Sequence, residues 1–272
     1  MRKLAGSVTL ALMLVMSTFG FASAITDGEL DGDDHPQVVL LVMDVDGAPE
    51  FRCSATLLTP TVVLTAGHCT NNFPDGPYTG MRVFTESDVQ NGNNTYPDAG
   101  GPNSVEAESW AAHPLYETAP FFVHDVGVVI LEDPGVVLDD PSDYATLPSV
   151  DQLDALKTRR GLQTTTFTAV GYGLQRINPV FVESSRTRMV AHPKLNQINV
   201  PGFTGDFSLL LSNNHSTGGT CFGDSGGPNF LGDSNVIAGV TSFAINGNCA
   251  GTGGVFRTDR QNVLDFINGY LN

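Results

Sequence analysis

Three short stretches hold residues whose types suit nucleophilic and acid–base chemistry. "VVLTAGHC" ends in His68 and Cys69, "HDVGVVIL" opens with His124 and Asp125, and "GGTCFGDSGGPNF" carries Ser225 among glycines. A serine hydroxyl is a weak nucleophile at neutral pH. It needs a base, most often an imidazole, and the imidazole needs a carboxylate to fix its tautomer and stabilise the imidazolium. His68, Asp125 and Ser225 supply one of each. Singly, each has a plainer reading: a core or surface His beside a cysteine, an Asp opening a strand, a Ser in a glycine turn. His113 and His124 compete with His68 as base, but His124 adjoins Asp125, and neighbouring side chains on a strand point to opposite faces. Gly223–Gly227 also fits Gly-x-Ser-x-Gly, the nucleophile elbow of a strand-to-helix turn. That arrangement places its His after the Ser, whereas all six histidines here precede Ser225.

The elements that must position these residues read as strands. "VVLLVM" (Val38–Met43), "TVVLT" (Thr61–Thr65), "VGVVIL" (Val126–Leu131), "TTTFTAVGYG" (Thr164–Gly173) and "VIAGVTSF" (Val236–Phe243) are short apolar runs cut by Gly, Pro, Asn and Asp. With 30 Gly and 16 Pro, the chain is expected to form barrels or sandwiches of short strands rather than long helices. The Pro- and Asp-rich stretch from Leu131 to Pro148 reads as a linker between two β units, and the polar stretch from Asn71 to Asn103 as surface loops. Val263, Phe266, Ile267, Tyr270 and Leu271 lie on one helical face, which predicts a closing helix packed on its own domain.

Residues 1–24 read as an export signal: Arg2 and Lys3, an apolar run to about Phe21, then Ala22-Ser23-Ala24 as a cleavage site. The mature chain is then expected to begin at Ile25. Net charge is −16, and losing two basic residues with the leader makes it more negative. So acidic a protein is a poor partner for nucleic acid or an anionic membrane. Four cysteines, Cys53, Cys69, Cys221 and Cys249, suit two disulfides outside the cell, with three connectivities open. No metal-ligand spacing is legible and no cofactor is expected.

Taken together, the three stretches resemble the chymotrypsin-like (trypsin-family) serine proteases. "LTAGHC" is similar to the family's Leu-Thr-Ala-Ala-His-Cys, "HDVGVVIL" to its Asp-Ile-Ala-Leu-Leu block, and "CFGDSGGP" carries its Gly-Asp-Ser-Gly-Gly-Pro signature. The order His68, Asp125, Ser225 is the family's order, with "HPLY", "GYG" and "TSF" as outposts. The resemblance implies an all-β fold of two antiparallel six-stranded β-barrels, about 25–138 and 139–272, with the active site between them and a C-terminal helix. It implies a secreted, monomeric endopeptidase acting on proteins or peptides. It implies an oxyanion hole from the N–H groups of Gly223 and Ser225, and support of Asp125 by Ser242. Asp224 would anchor the α-amino group of Ile25. Disulfides Cys53–Cys69 and Cys221–Cys249 would brace His68 and the substrate pocket. The pocket would involve Gly219 at its base, Ala244 on one wall and Gly254 keeping the other wall open. Gly219 lacks the acid that selects Arg or Lys, so a small or medium apolar side chain is expected before the scissile bond. A non-catalytic relative that only binds proteins, or an esterase on the same fold, are the competing readings.

Overall fold

The structure is a computed structural model that describes residues 25–71, 77–116, 123–157, 164–178 and 181–271. The expected leader, residues 1–24, lies outside them. After a two-residue strand β1 (Glu29–Leu30), six antiparallel strands close a barrel: β2 (Val38–Val45), β3 (Ala48–Leu57), β4 (Val62–Thr65), β5 (Tyr78–Phe84), β6 (Ser104–Ala112) and β7 (Gly127–Leu131), in the order β2-β3-β4-β7-β6-β5. The apolar run at β2 has a physical reason. Val39, Leu41 and Met43 point into the barrel with Ala55, Val63 and Val129, while Val38, Leu40 and Val42 point outward against the second unit. A strand buried on both faces cannot alternate apolar with polar.

The second unit contains β8 (Phe167–Gly171), the hairpin β9 (Arg176–Asn178) and β10 (Phe181–Glu183), β11 (Met189–Ala191), β12 (Leu195–Val200), β13 (Gly205–Asn213), β14 (Pro228–Leu231), β15 (Ile237–Ala244) and β16 (Gly251–Arg257). Its main sheet runs β1-β11-β8-β14-β15-β16-β13-β12. The fold is all-β and trypsin-like, but this second unit is a curled eight-stranded sheet rather than a closed six-stranded barrel. The start of β12 returns to the start of β8: Thr166 and Lys194 form an isolated antiparallel bridge, with Phe167 N–H donating to Pro193 O at 2.9 Å and Leu195 N–H to Thr165 O at 3.1 Å, while β12 breaks register twice against β13.

Three local expectations need correction. Residues 25–30, assigned above to the first barrel, lie against the second unit, where β1 pairs with β11. The polar stretch 71–103 is not all loop, because it contains β5, whose Met81, Val83 and Phe84 are core residues. Its charge misleads: Arg82 is buried, with a bidentate pair to Asp44 at 2.7–2.9 Å. The closing helix is α2 (Gln261–Asn268), which buries Val263 and Ile267 against the inter-unit core but ends before Tyr270 and Leu271.

Candidate active site

His68 lies on α1 (Gly67–Thr70), a single turn directly after β4. The Cys53–Cys69 disulfide ties that turn back to β3. Asp125 precedes β7, which pairs with β4, so the barrel ladder brings His68 and Asp125 together. Asp125 is fully buried and gathers three donors. His68 Nδ1 lies 2.9 Å from its Oδ2, the His68 backbone N–H donates to Oδ1 at 2.8 Å, and Ser242 Oγ donates to Oδ2 at 2.5 Å. This fixes the imidazole with Nδ1 toward the carboxylate and its side chain 25 % exposed.

Burial alone would pull the His68 pKa down. The charge of Asp125 and its hydrogen bond outweigh that, and the net shift is upward from 6.5. A base must be neutral to accept a proton, so kcat/KM is expected to fall with acid through a midpoint above 6.5. For folding, the same shift stabilises the protein below the unfolded value, and that contribution is lost as pH rises through the folded value. A kcat/KM midpoint below 6.5 in a pH–rate profile would contradict the geometry.

Ser225 sits in a tight loop at the start of β14. Gly223 and Gly226 have φ of +93° and +78°, and a Cβ on Gly226 would stand 1.9 Å from Thr65 Oγ1, so only glycine fits. The loop is held by backbone bonds: Asp224 N–H to Cys221 O at 3.0 Å, Gly227 N–H to Asp224 O at 2.9 Å and Gly226 N–H to Thr241 O at 2.8 Å. Ser225 and His68 line one cleft of about 430 Å³ between the two units, with Thr220, Cys221, Ser242, Phe243 and Ala244.

Asp224 is fully buried. Its carboxylate accepts Gly173 N–H and Cys221 N–H, each at 2.8 Å. Burial still raises its pKa to about 7, against the pull of those bonds and of Arg52. Ile25 is buried among Ala169, Met189 and Ala191, and Thr26 pairs with Gly219 as an isolated antiparallel bridge. The second disulfide is Cys221–Cys249.

Around the pocket, a side chain at Gly219 would collide with Asn213, whose Cγ would lie 2.4 Å from the added Cβ. Thr26 Oγ1 donates to Asn213 Oδ1 at 2.7 Å, and Gly219, Asn213 and Gly254 lie outside the residues that line the cleft, whereas Thr220, Cys221 and Ala244 do line it. Gly254 does not keep its wall open as expected, because the Phe243 ring would lie 2.3–2.4 Å from a Cβ there and fills the space itself.

His113 and His124 stack on each other with centroids 4.8 Å apart, against Phe266 and Phe207, outside the residues that line the cleft. Burial lowers the pKa of both and keeps them neutral, and their stacking away from the cleft makes them flat packing groups. Cys53, Cys69 and His68 cluster closely enough to hold a metal, but both sulfurs are committed to the disulfide.

One residue went unmarked in the sequence. Ser54, buried on β3, donates its backbone N–H to Ser225 O at 2.8 Å and its hydroxyl to Gly223 O at 3.0 Å, and accepts Tyr172 N–H at 2.9 Å. It joins the first barrel to the nucleophile loop. Ser54→Ala leaves Gly223 O and Tyr172 N–H without this partner, at a cost of about 1–3 kcal/mol. It is expected to lower kcat about tenfold with little change in KM, because it loosens the loop that carries Gly223 and Ser225. An unchanged kcat would refute this positioning role.

An all-β pair of units with a His–Asp pair and a serine loop facing one cleft defines the class of chymotrypsin-like hydrolases. The family model for trypsin matches residues 32–267, and the chain belongs to that family, which makes it a serine endopeptidase acting on protein substrates. It is 24% identical to a collagenase of Hypoderma lineatum over 197 residues, 72% of this chain and 67% of the relative. It is 25% identical to a chymotrypsin of Phaedon cochleariae over 251 residues, 87% and 75% of the two chains. Among solved structures it is similar to HL collagenase, with a TM-score of 0.68 at 20% identity, covering 91% of this chain and 98% of that one. It is also similar to a mutant of human heparin binding protein, with a TM-score of 0.63 at 18% identity, covering 91% and 97%.

Proposed function

We propose that Ser225, His68 and Asp125 form the catalytic triad of an exported endopeptidase. The observation that carries this reading is the bonded series Ser242–Asp125–His68 facing the same cleft as Ser225. Ser225 Oγ attacks the scissile carbonyl as its proton passes to His68 Nε2. That proton then goes to the leaving amine, the C–N bond breaks, and an acyl-enzyme remains. Water repeats the sequence and releases the acid. Asp125 holds the imidazole and stabilises its cation, while the N–H groups of Gly223 and Ser225 receive the oxyanion. Labelling by a fluorophosphonate probe that vanishes in Ser225→Ala supports the reading; no labelling of correctly processed protein refutes it.

The residue before the scissile bond is small or medium and apolar. Gly219 brings no charge, no acid lines the cleft among the described residues, and Phe243 with Ala244 stands on its wall. A peptide-library digest dominated by cleavage after Arg or Lys would overturn this.

Asp224 anchors the α-ammonium of Ile25, and removal of residues 1–24 by the export machinery creates that group directly. A buried carboxylate held by only two N–H groups and titrating near 7 gains most from a cation placed beside it. The secreted protein is expected to begin Ile25-Thr26-Asp27-Gly28. A mature start well before Ile25, established by N-terminal sequencing of active enzyme, would refute direct activation.

A further inference from the structure

Among the described residues, the cleft is lined by one guanidinium and no carboxylate. Arg52, on β3 just before Cys53, is the basic residue that lines it alongside His68. Arg82, Arg188, Arg257, Arg260 and Lys157 each pair with an aspartate. Among the described residues Arg52 has no such partner. Its Nη2 donates to Ser184 Oγ at 2.9 Å, and the Ser184 carbonyl is held in turn by Arg186 Nη1 at 2.7 Å. Its Nε is buried with no hydrogen-bond partner, and would lie 3.6 Å from a Cβ on Gly223. A partly buried cation with an unmet donor is unusual in a chain of net charge −16, where carboxylates are plentiful.

The position of Arg52 indicates what it meets. Thr220, Cys221 and Ser242–Ala244 belong to the second unit, on the side proposed above to receive the residue before the scissile bond. Phe51, Arg52, Cys53 and Tyr78 belong to the first barrel and line the opposite side of the cleft. A chain laid across Ser225 therefore runs its leaving-group half over Arg52. We propose that Arg52 is a specificity residue that selects an acidic side chain at the first or second position after the scissile bond. This rests on the reading of Ser225 as nucleophile. With Nη2 held by Ser184 and Nε buried, the Nη1 edge of the guanidinium is left to meet a carboxylate.

The test uses full-length secreted enzyme and internally quenched peptides that share one cleavage site. They carry Asp, Asn or Lys at the first, second or third position after it. Asp is expected to exceed Asn in kcat/KM about five- to tenfold at position one or two, with Lys below Asn. The Asp/Asn ratio falls to about one in Arg52→Gln, persists in part in Arg52→Lys, and gives way to a preference for Lys in Arg52→Glu. Raising the salt concentration compresses it. A ratio near one in the wild type overturns the proposal, as does an equal ratio in wild type and Arg52→Gln. The latter is what a mere counter-charge for Asp224 would give, since it slows all peptides alike. Failure to cleave any peptide or to react with a fluorophosphonate overturns the nucleophile reading itself, a result distinct from cleavage without acidic preference.

Discussion

Alanine at Ser225 is expected to lower kcat by about 10⁶ while substrate binding changes only a few-fold. The loop that presents the residue does not depend on its hydroxyl. It is held by backbone bonds from Asp224, Gly226 and Gly227, and by Ser54 N–H on the Ser225 carbonyl. The variant should therefore fold with its cleft and oxyanion donors intact, and the loss reports the missing nucleophile alone. His68→Ala should cost about as much, and the double variant little more, because the pair acts as one unit. Asp125→Asn should cost about 10⁴. An amide in place of the carboxylate cannot accept from His68 Nδ1, the His68 backbone and Ser242 at once, so the imidazole loses the tautomer the mechanism needs. Burst titration gives the concentration of competent sites, and steady-state kinetics on one peptide gives kcat and KM. A Ser225→Ala enzyme retaining more than about a thousandth of wild-type kcat would exclude Ser225 as the nucleophile.

The candidate site is legible because its residues sit in contiguous blocks. His68 follows an apolar strand, Asp125 opens another, and the glycines around Ser225 are required by positive φ and close approach. What escaped depends on partners far apart in the chain. Strand β5 hid in a polar stretch because the charge of Arg82 is neutralised by Asp44, on a strand that precedes it by 38 residues. Ser54 looks like any small residue beside a cysteine, and its three contacts lie on segments far along the chain. Gly254 reads as empty space, but the space is taken by Phe243, its partner on the neighbouring strand. The second barrel follows from family resemblance, while the curl of its sheet depends on the Thr166–Lys194 bridge and on bulges in β12 that apolar periodicity does not report.

The same long-range logic governs the largest expected stability effect. Arg188 and Asp31 are both buried, 157 residues apart, and joined at 2.8 Å through Nε and Oδ2. Arg188 also donates to Gly32 O at 2.8 Å, Val38 O at 3.0 Å and the Tyr172 hydroxyl oxygen at 3.3 Å. Asp31 takes His35 Nδ1 on its other oxygen at 2.5 Å. One guanidinium thus fastens the segment after Ile25 to the entry of β2 and to the second unit. Burial pushes the Asp31 pKa up, but His35 and Arg188 outweigh it and the net shift is downward from 3.8. A depressed carboxylate stabilises the fold above the unfolded value, and that contribution is lost as pH falls through the folded value. Asp31→Leu or Arg188→Met strands a buried charge, and each is expected to cost about 3–5 kcal/mol. The double change Asp31→Leu with Arg188→Met removes both charges and should recover at least half of that loss, because the desolvation cost disappears with them. Urea unfolding of the four proteins at neutral pH closes the cycle. Single variants within about 1 kcal/mol of wild type would show that the pair does not clamp the units. A double variant as unstable as the sum of the singles would show that the backbone carbonyls held by Arg188, rather than its pairing with Asp31, carry the effect.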